Sequence, residues 1–422
     1  MSHDKSEFTR HTGERTSRRS FLQAAAATAA MAPALARAGQ SSSSSAPRRI
    51  LACAGTYSSP QGPEGSKGRG QGIYVFEMNP ASGALTQREV IPNDANPACL
   101  ALAPSGAHLY SANEVSNFAG GSAGSVSAYA VDRASQHLTL LNTVSSEGAG
   151  PAHLSVHPSG KYVLVANYVG GCVAVLPIRA SGELGAATDV VHDQGAVGPE
   201  HAHSAPPGSF AISGHEQPHA HMIQADAAGR IVFAADLGLD RIFIWKFDLE
   251  NGKLTPNDPD SVALPPGDGP RHFAFHPGGR WFYSLQEEGS TVVAFDYDSR
   301  RGRLTEKQTL SSLPKGFVGT NFTSEVMISA DGKFLYAANR LHDSIAWFSI
   351  SVTGTLTFGG EEWTRGDYPR SFNIDPTGNF LYCCNQRGDA ITTFRVNRQT
   401  GALTFTGYYT PIGTPANIVF LT

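Results

Sequence analysis

Residues 270–286 read PRHFAFHPGGRWFYSLQ, and this stretch decides the fold. An alternating run, Phe273-Ala274-Phe275, enters a turn that ends in Gly279. A second apolar run leaves the turn and stops at a polar residue, Gln286, seven positions after the glycine. A third run, Thr291 to Tyr297, closes on the turn Gly302-Arg303-Leu304. Alternation with period two, bounded by Gly, Pro, Asn and Asp, is the pattern of antiparallel strands joined by hairpins.

Outward from this stretch the same unit recurs. Six copies carry the turn glycines Gly106, Gly160, Gly229, Gly279, Gly332 and Gly378, and seven residues after each stand Asn113, Asn167, Asp236, Gln286, Asn339 and Asn385. Most third runs end in a further Gly-x-Leu turn, at Gly182, Gly252, Gly302, Gly354 and Gly401. Helical periodicity is missing after residue 40. A small apolar sheet cannot bury both faces alone, so repeated sheets must stack, and radial stacking limits exposed edges. The reading is an all-β fold, a seven-bladed β-propeller over residues 50–422. Ile50 to Tyr57 and Gly72 to Met78 form no complete unit, and residues 413–421 form an inner strand with nothing after it. Together they make a last blade closed by strands from both termini, with about 55 residues per blade.

Composition agrees. The chain of 422 residues holds 45 Gly and 26 Pro, only 16% charged residues and 41% hydrophobic ones. That is turn-rich and able to build a core, with no set of membrane spans. Residues 1–38 read as a twin-arginine export signal: Arg18-Arg19, an Ala-rich apolar stretch and Ala34-Leu35-Ala36 occur in order, with Gln23 where Lys is usual. Residues 39–49, including Ser41 to Ser45, read as a flexible linker. Without residues 1–38 the chain has 26 basic and 33 acidic residues, net −7, which argues against a nucleic-acid partner. The partners expected are a small molecule and, in transit, the twin-arginine export machinery. No membrane association is expected after signal removal, and the location is periplasmic or exported. Five cysteines, two of them adjacent, do not resemble a disulfide framework, and Cys53 reads as part of a first strand.

The hairpin places the start of each first strand and the polar residue seven past the glycine at one end of the propeller. Seven positions before each glycine stand Cys99, His153, Met222, His272, Glu325 and Ser371, with Asn417 in the corresponding place of the last blade. Eight positions before stand Ala98, Ala152, His221, Arg271, Ser324 and Arg370. If the first strand lines the channel, these side chains ring one mouth, backed by Asn167, Asn339-Arg340 and the other strand-end residues. Attack of water on an ester carbonyl needs a base, which His or Glu supplies, and positive charge for the oxyanion, which Arg supplies. The same polar residues could instead satisfy one another around a wet axis, the strand-end Asn set above all. Six of fifteen histidines fall between His192 and His221, but no Cys or carboxylate pattern of ligand spacing accompanies them, so neither metal nor cofactor is expected. The Gly-rich stretch Gly62 to Gly72 lacks the helix and Lys-Ser or Lys-Thr of a phosphate cradle and reads as a loop.

Gly55-Thr56-Tyr57, Pro151-Ala152-His153, Pro218-His219-Ala220-His221, Gly269-Pro270-Arg271-His272, Ser324-Glu325, Asn339-Arg340 and Pro369-Arg370 together carry a likeness. The chain resembles the seven-bladed lactonases that include 6-phosphogluconolactonase of the propeller type and carboxy-cis,cis-muconate cyclase. The resemblance implies a metal-independent lactonase whose His, Arg and Glu site falls on the ring. Expected catalytic residues are Glu325, His153 and Arg271, with Glu325 or His153 as base. Expected substrate-binding residues are His219, His221, His272, Arg340, Arg370 and Asn167. Export favours an unphosphorylated aldonolactone, because phosphorylated sugar lactones arise in the cytoplasm. A muconate-type cyclisation and a non-catalytic ligand- or partner-binding propeller are the alternatives.

Overall fold

The computed structural model describes residues 50–60, 67–132, 134–135, 137–212 and 214–421. The export signal, the linker and the first part of the Gly62 to Gly72 loop lie outside these residues. The rest forms twenty-eight strands in seven four-stranded antiparallel sheets. A 3-10 turn at Phe118–Gly120 interrupts them once.

Six blades are continuous in sequence. Their inner strands are Pro97–Leu102, Pro151–Val156, Ala220–Ala225, Pro270–Phe275, Thr323–Ile328 and Pro369–Ile374, for blades 1 to 6. Each second strand ends on the polar residue read from the repeat, at Asn113, Asn167, Asp236, Gln286, Asn339 and Asn385. The six turn glycines adopt φ between 67° and 72°, a left-handed conformation that a side chain would strain, which is why the turn falls at a constant place. Blade 7 takes its inner strand, Pro415–Leu421, from the carboxyl end and its other three, Ile50–Thr56, Gly72–Met78 and Leu85–Pro92, from the amino end. Leu51 pairs with Leu421 and Gly55 with Asn417.

Seven apolar clusters hold the ring, one between each pair of neighbouring blades. Phe233 and Ile244 of blade 3 meet Phe273, Phe282 and Phe295 of blade 4. Across the closure, Cys53 and Val75 of blade 7 meet Leu100, Leu109 and Tyr129 of blade 1.

The start of each inner strand pairs with the end of the second, as Pro151 with Asn167 and Pro270 with Gln286. In all six continuous blades the register then slips at once, between Pro97 and Cys99, Pro151 and His153, Ala220 and Met222, Pro270 and His272, Thr323 and Val326, and Pro369 and Ser371. Strict alternation would send neighbouring residues to opposite faces. A β-bulge removes that restriction and re-aims one side chain. Consecutive residues such as Arg271 and His272 therefore both face the channel.

Candidate active site

The bulges deliver side chains to a cavity of about 390 Å³ on the axis, lined by His153, His221, Arg271, His272, Glu325, Arg370, Ser371 and Asn417 among others. A second cavity of about 180 Å³ is lined by Glu114, Tyr168, Glu287 and Arg340, and shares Ala152, His221 and Arg370 with the first. Those three residues form a wall common to both.

Within the axial cavity Glu325 is fully engaged. Its Oε1 lies 2.9 Å from His272 Nδ1 and accepts from the Val326 amide at 3.1 Å, while its Oε2 accepts from Ser371 Oγ at 3.1 Å. Burial by itself raises the Glu325 carboxyl, but His272, Arg271 and Ser371 outweigh it and hold the group below its ordinary value. Burial pulls His272 below the usual imidazole range, and the negative charge of Glu325 opposes that pull. The His272 ring packs edge-on against His153 at 5.4 Å and His221 at 5.1 Å. Both of these imidazoles are held well below their ordinary value, first by burial and then by the surrounding positive groups. All three are thus biased towards the uncharged form. The Nδ1 atom of His221, a residue that lines both cavities, is buried with no hydrogen-bond partner among the described residues.

The arginines are arranged by carboxylates that the turn-to-strand-end count missed. Glu287 takes Arg271 Nε on Oε2 at 2.8 Å and Arg340 on Oε1 at 2.6 Å. Arg271 also donates to the Ser324 carbonyl, and burial together with Arg340 draws its guanidinium down to about 10 against the opposing effect of Glu287. Arg340 lies over the rings of Phe322 and Tyr368, at 5.4 and 5.2 Å. Arg370 lies 5.0 Å over Tyr57 and 3.7 Å from Glu114 Oε2, which also accepts from Tyr57 Oη at 2.7 Å.

Glu114, Tyr168, Glu287 and Arg340 each stand eight residues after a turn glycine, one past the strand end. The residue at seven is buried at the strand end, whereas these four, one position further on, line the second cavity. That offset of eight is the signal in the sequence that finds all four.

Of the nine expected site residues, His153, His221, Arg271, His272, Glu325 and Arg370 line the axial cavity, and Arg340 lines the outer one. Asn167 and His219 line neither. Asn167 is fully buried and donates to the Ser146 carbonyl at 2.9 Å, so it ties a loop rather than meeting the channel. His219 stacks on Tyr168 at 4.2 Å, with Nδ1 2.9 Å from the Tyr168 carbonyl and Nε2 2.9 Å from Glu216. The bulge lies between Ala220 and Met222, so His221 alone of the His219-Ala220-His221 triplet is turned to the axis. Within the other histidines of that stretch, His215 pairs with Asp240 at 3.2 Å. Among the described residues no group of three or more His, Cys, Asp or Glu is placed to hold a metal ion.

Comparison with known proteins agrees with this fold. Residues 52–420 match the family model described as lactonase, 7-bladed beta-propeller. The chain is 34% identical to the 6-phosphogluconolactonase of Bacillus subtilis (strain 168) over 84% of its own length and 96% of the relative. It is 32% identical to a 6-phosphogluconolactonase of Formosa agariphila, over 79% and 91%. The solved structure of the Pseudomonas aeruginosa periplasmic gluconolactonase aligns with a TM-score of 0.79 at 30% identity, covering 89% of this chain and 99% of that one. A ring of seven sheets, bulged inner strands that turn His, Arg and Glu to the axis, and likeness along nearly the whole propeller lead to one statement: the chain belongs to the seven-bladed β-propeller lactonase family.

Proposed function

We propose that the protein opens an unphosphorylated aldonolactone outside the cytoplasm, with His272 as general base, Glu325 as its orienting partner, and Arg271 and Arg370 as the groups that take up charge on the carbonyl oxygen. The observation that carries this reading is the 2.9 Å contact of Glu325 with His272 Nδ1 inside the cavity that both arginines line. With Nδ1 tied to the carboxylate, Nε2 is the nitrogen left to accept a proton from water. Water adds to the lactone carbonyl, its proton passes to His272, and negative charge develops on the former carbonyl oxygen beside the guanidinium groups. Collapse breaks the bond to the ring oxygen, which takes the proton back from His272 and leaves an open hydroxy acid. Both oxygens of Glu325 are already spoken for, and His153 is pressed below its ordinary range by burial, His272 and Arg271. These facts favour His272 over either base chosen from the sequence.

Export is supported by the order of Arg18-Arg19, apolar stretch and small residues, and by the likeness to a periplasmic gluconolactonase. No described helix is long and apolar enough to cross a membrane. A panel of free and phosphorylated aldonolactones followed in a pH-stat tests the reading. Turnover of a free lactone is expected, with kcat/KM lowered about a hundredfold or more in Arg271→Ala. No acceleration of any lactone, with saturable ligand binding retained, would leave a binding propeller instead.

A further inference from the structure

Arg370 is the one guanidinium that lines both cavities, and its partner comes from a different blade. Glu114 stands one residue past the second strand of blade 1, His108–Asn113. Its main chain is fixed on both sides: its amide donates to the Asn96 carbonyl at 2.8 Å, and its carbonyl accepts from Asn96 Nδ2 at 3.0 Å. Its Oε2 takes the hydroxyl of Tyr57, a fully buried residue of the closing blade, and faces Arg370 at 3.7 Å. The side chains of Arg370 and Glu114 are only 10% and 12% exposed, so solvent screens the pair weakly.

The two cavities together are lined by three guanidinium groups, Arg271, Arg340 and Arg370, and three carboxylates, Glu114, Glu287 and Glu325. Arg271 and Arg340 already share Glu287. The mouth is thus charge-balanced, and Glu114 is the member that faces Arg370. A phosphate dianion entering here competes with Glu114 for that guanidinium and is repelled by the carboxylate. A neutral lactone asks Arg370 only for a hydrogen bond to its carbonyl oxygen.

We propose that Glu114 is a specificity-determining positioning residue, which holds Arg370 as a neutralised pair and thereby selects uncharged lactones against phosphorylated ones. This rests on the lactonase reading above and names the substrate charge that the same site accepts.

The test compares the unaltered protein with Glu114→Gln, which keeps an acceptor for Tyr57 but removes the charge. First, kcat/KM is measured for D-glucono-1,5-lactone and its 6-phosphate. The ratio of phosphorylated to free substrate is expected to rise about tenfold or more in Glu114→Gln, chiefly through KM, with the gain shrinking at high salt. Second, calorimetric Kd values for 6-phosphogluconate are expected to fall by a similar factor in the variant, a readout that needs no turnover. An unchanged ratio and unchanged Kd, or an equal loss on both substrates, overturns the proposal. Turnover of neither lactone by the unaltered protein defeats the functional reading, while the Kd comparison still decides the role of Glu114. If Glu114→Gln unfolds, Arg370→Gln in its place leaves the Glu114 carboxylate uncompensated and is expected to widen the discrimination against 6-phosphogluconate relative to gluconate, and an unchanged Kd ratio overturns the proposal.

Discussion

An imidazole that accepts protons must be neutral before it acts, and His272 is prepared for this by two opposed effects: burial lowers its proton affinity and Glu325 raises it. The acid limb of kcat/KM should therefore lie below the ordinary imidazole value, with activity lost as pH falls through it. Removing the charge in Glu325→Gln takes away the contribution that raises the pKa, so the limb should move to still lower pH while kcat falls about tenfold to a hundredfold for want of orientation. A pH-rate profile decides this, and a limb that moves upward contradicts the assignment. Single positions show how far a sequence can be read. Arg271 and His272 were found because a fixed count from a turn glycine led to them, but alternation alone would have put them on opposite faces. Only the register slip between Pro270 and His272 explains how both arrive. Glu287 and Glu114 stayed hidden because the count stopped at the strand end, one residue short of them.

Between elements, one contact repeats. Four residues after a turn glycine stand Tyr110, Tyr283, Tyr336 and Tyr382, and each hydroxyl crosses to the next blade to donate to the carbonyl of an outer-turn glycine. The acceptors are Gly182, Gly354, Gly401 and Gly83, at 3.1, 2.8, 3.0 and 2.8 Å. These glycines close the Gly-x-Leu turns, so the two halves of the repeat are bonded across each such interface. Tyr336→Phe leaves the Gly401 carbonyl without this partner in a buried setting, and a loss of about 1 to 2 kcal/mol is expected from urea unfolding, with lactone turnover unaltered. The inner and second strands were legible as whole elements, because sharp glycine turns and polar ends bound them. Outer strands were less so. That of blade 3, Lys253–Ala263, carries Pro256 and Pro259 and a register slip, while that of blade 2, Asp189–His192, is only 4 residues long. An edge strand bonded on one side tolerates both irregularities, so its sequence is weakly constrained.

For the whole molecule, ring closure was readable because two incomplete ends were complementary. The mouth was readable only in part: its inner-strand residues followed from the count, while Glu114 and Glu287, which pair with its arginines, did not. All five cysteines are free and buried within the blades, and burial pushes the Cys53 and Cys99 thiols up to about 12. Thiol titration at neutral pH should accordingly find none reactive in the native protein and all five after denaturation. Fewer than five would mean oxidation. A variant lacking Pro415–Leu421 would lose Asn417 from the cavity and the partner of Ile50–Thr56, and should fail to unfold cooperatively by calorimetry.

The inner strand of blade 7 leaves the ribosome after every other strand described. Blades 1 to 6 can take shape while translation continues, but Ile50–Thr56, paired on one side with Gly72–Met78, waits for its second partner, Pro415–Leu421. The nascent chain therefore carries an open arc, its cavity short of Asn417, until Pro415–Leu421 emerges.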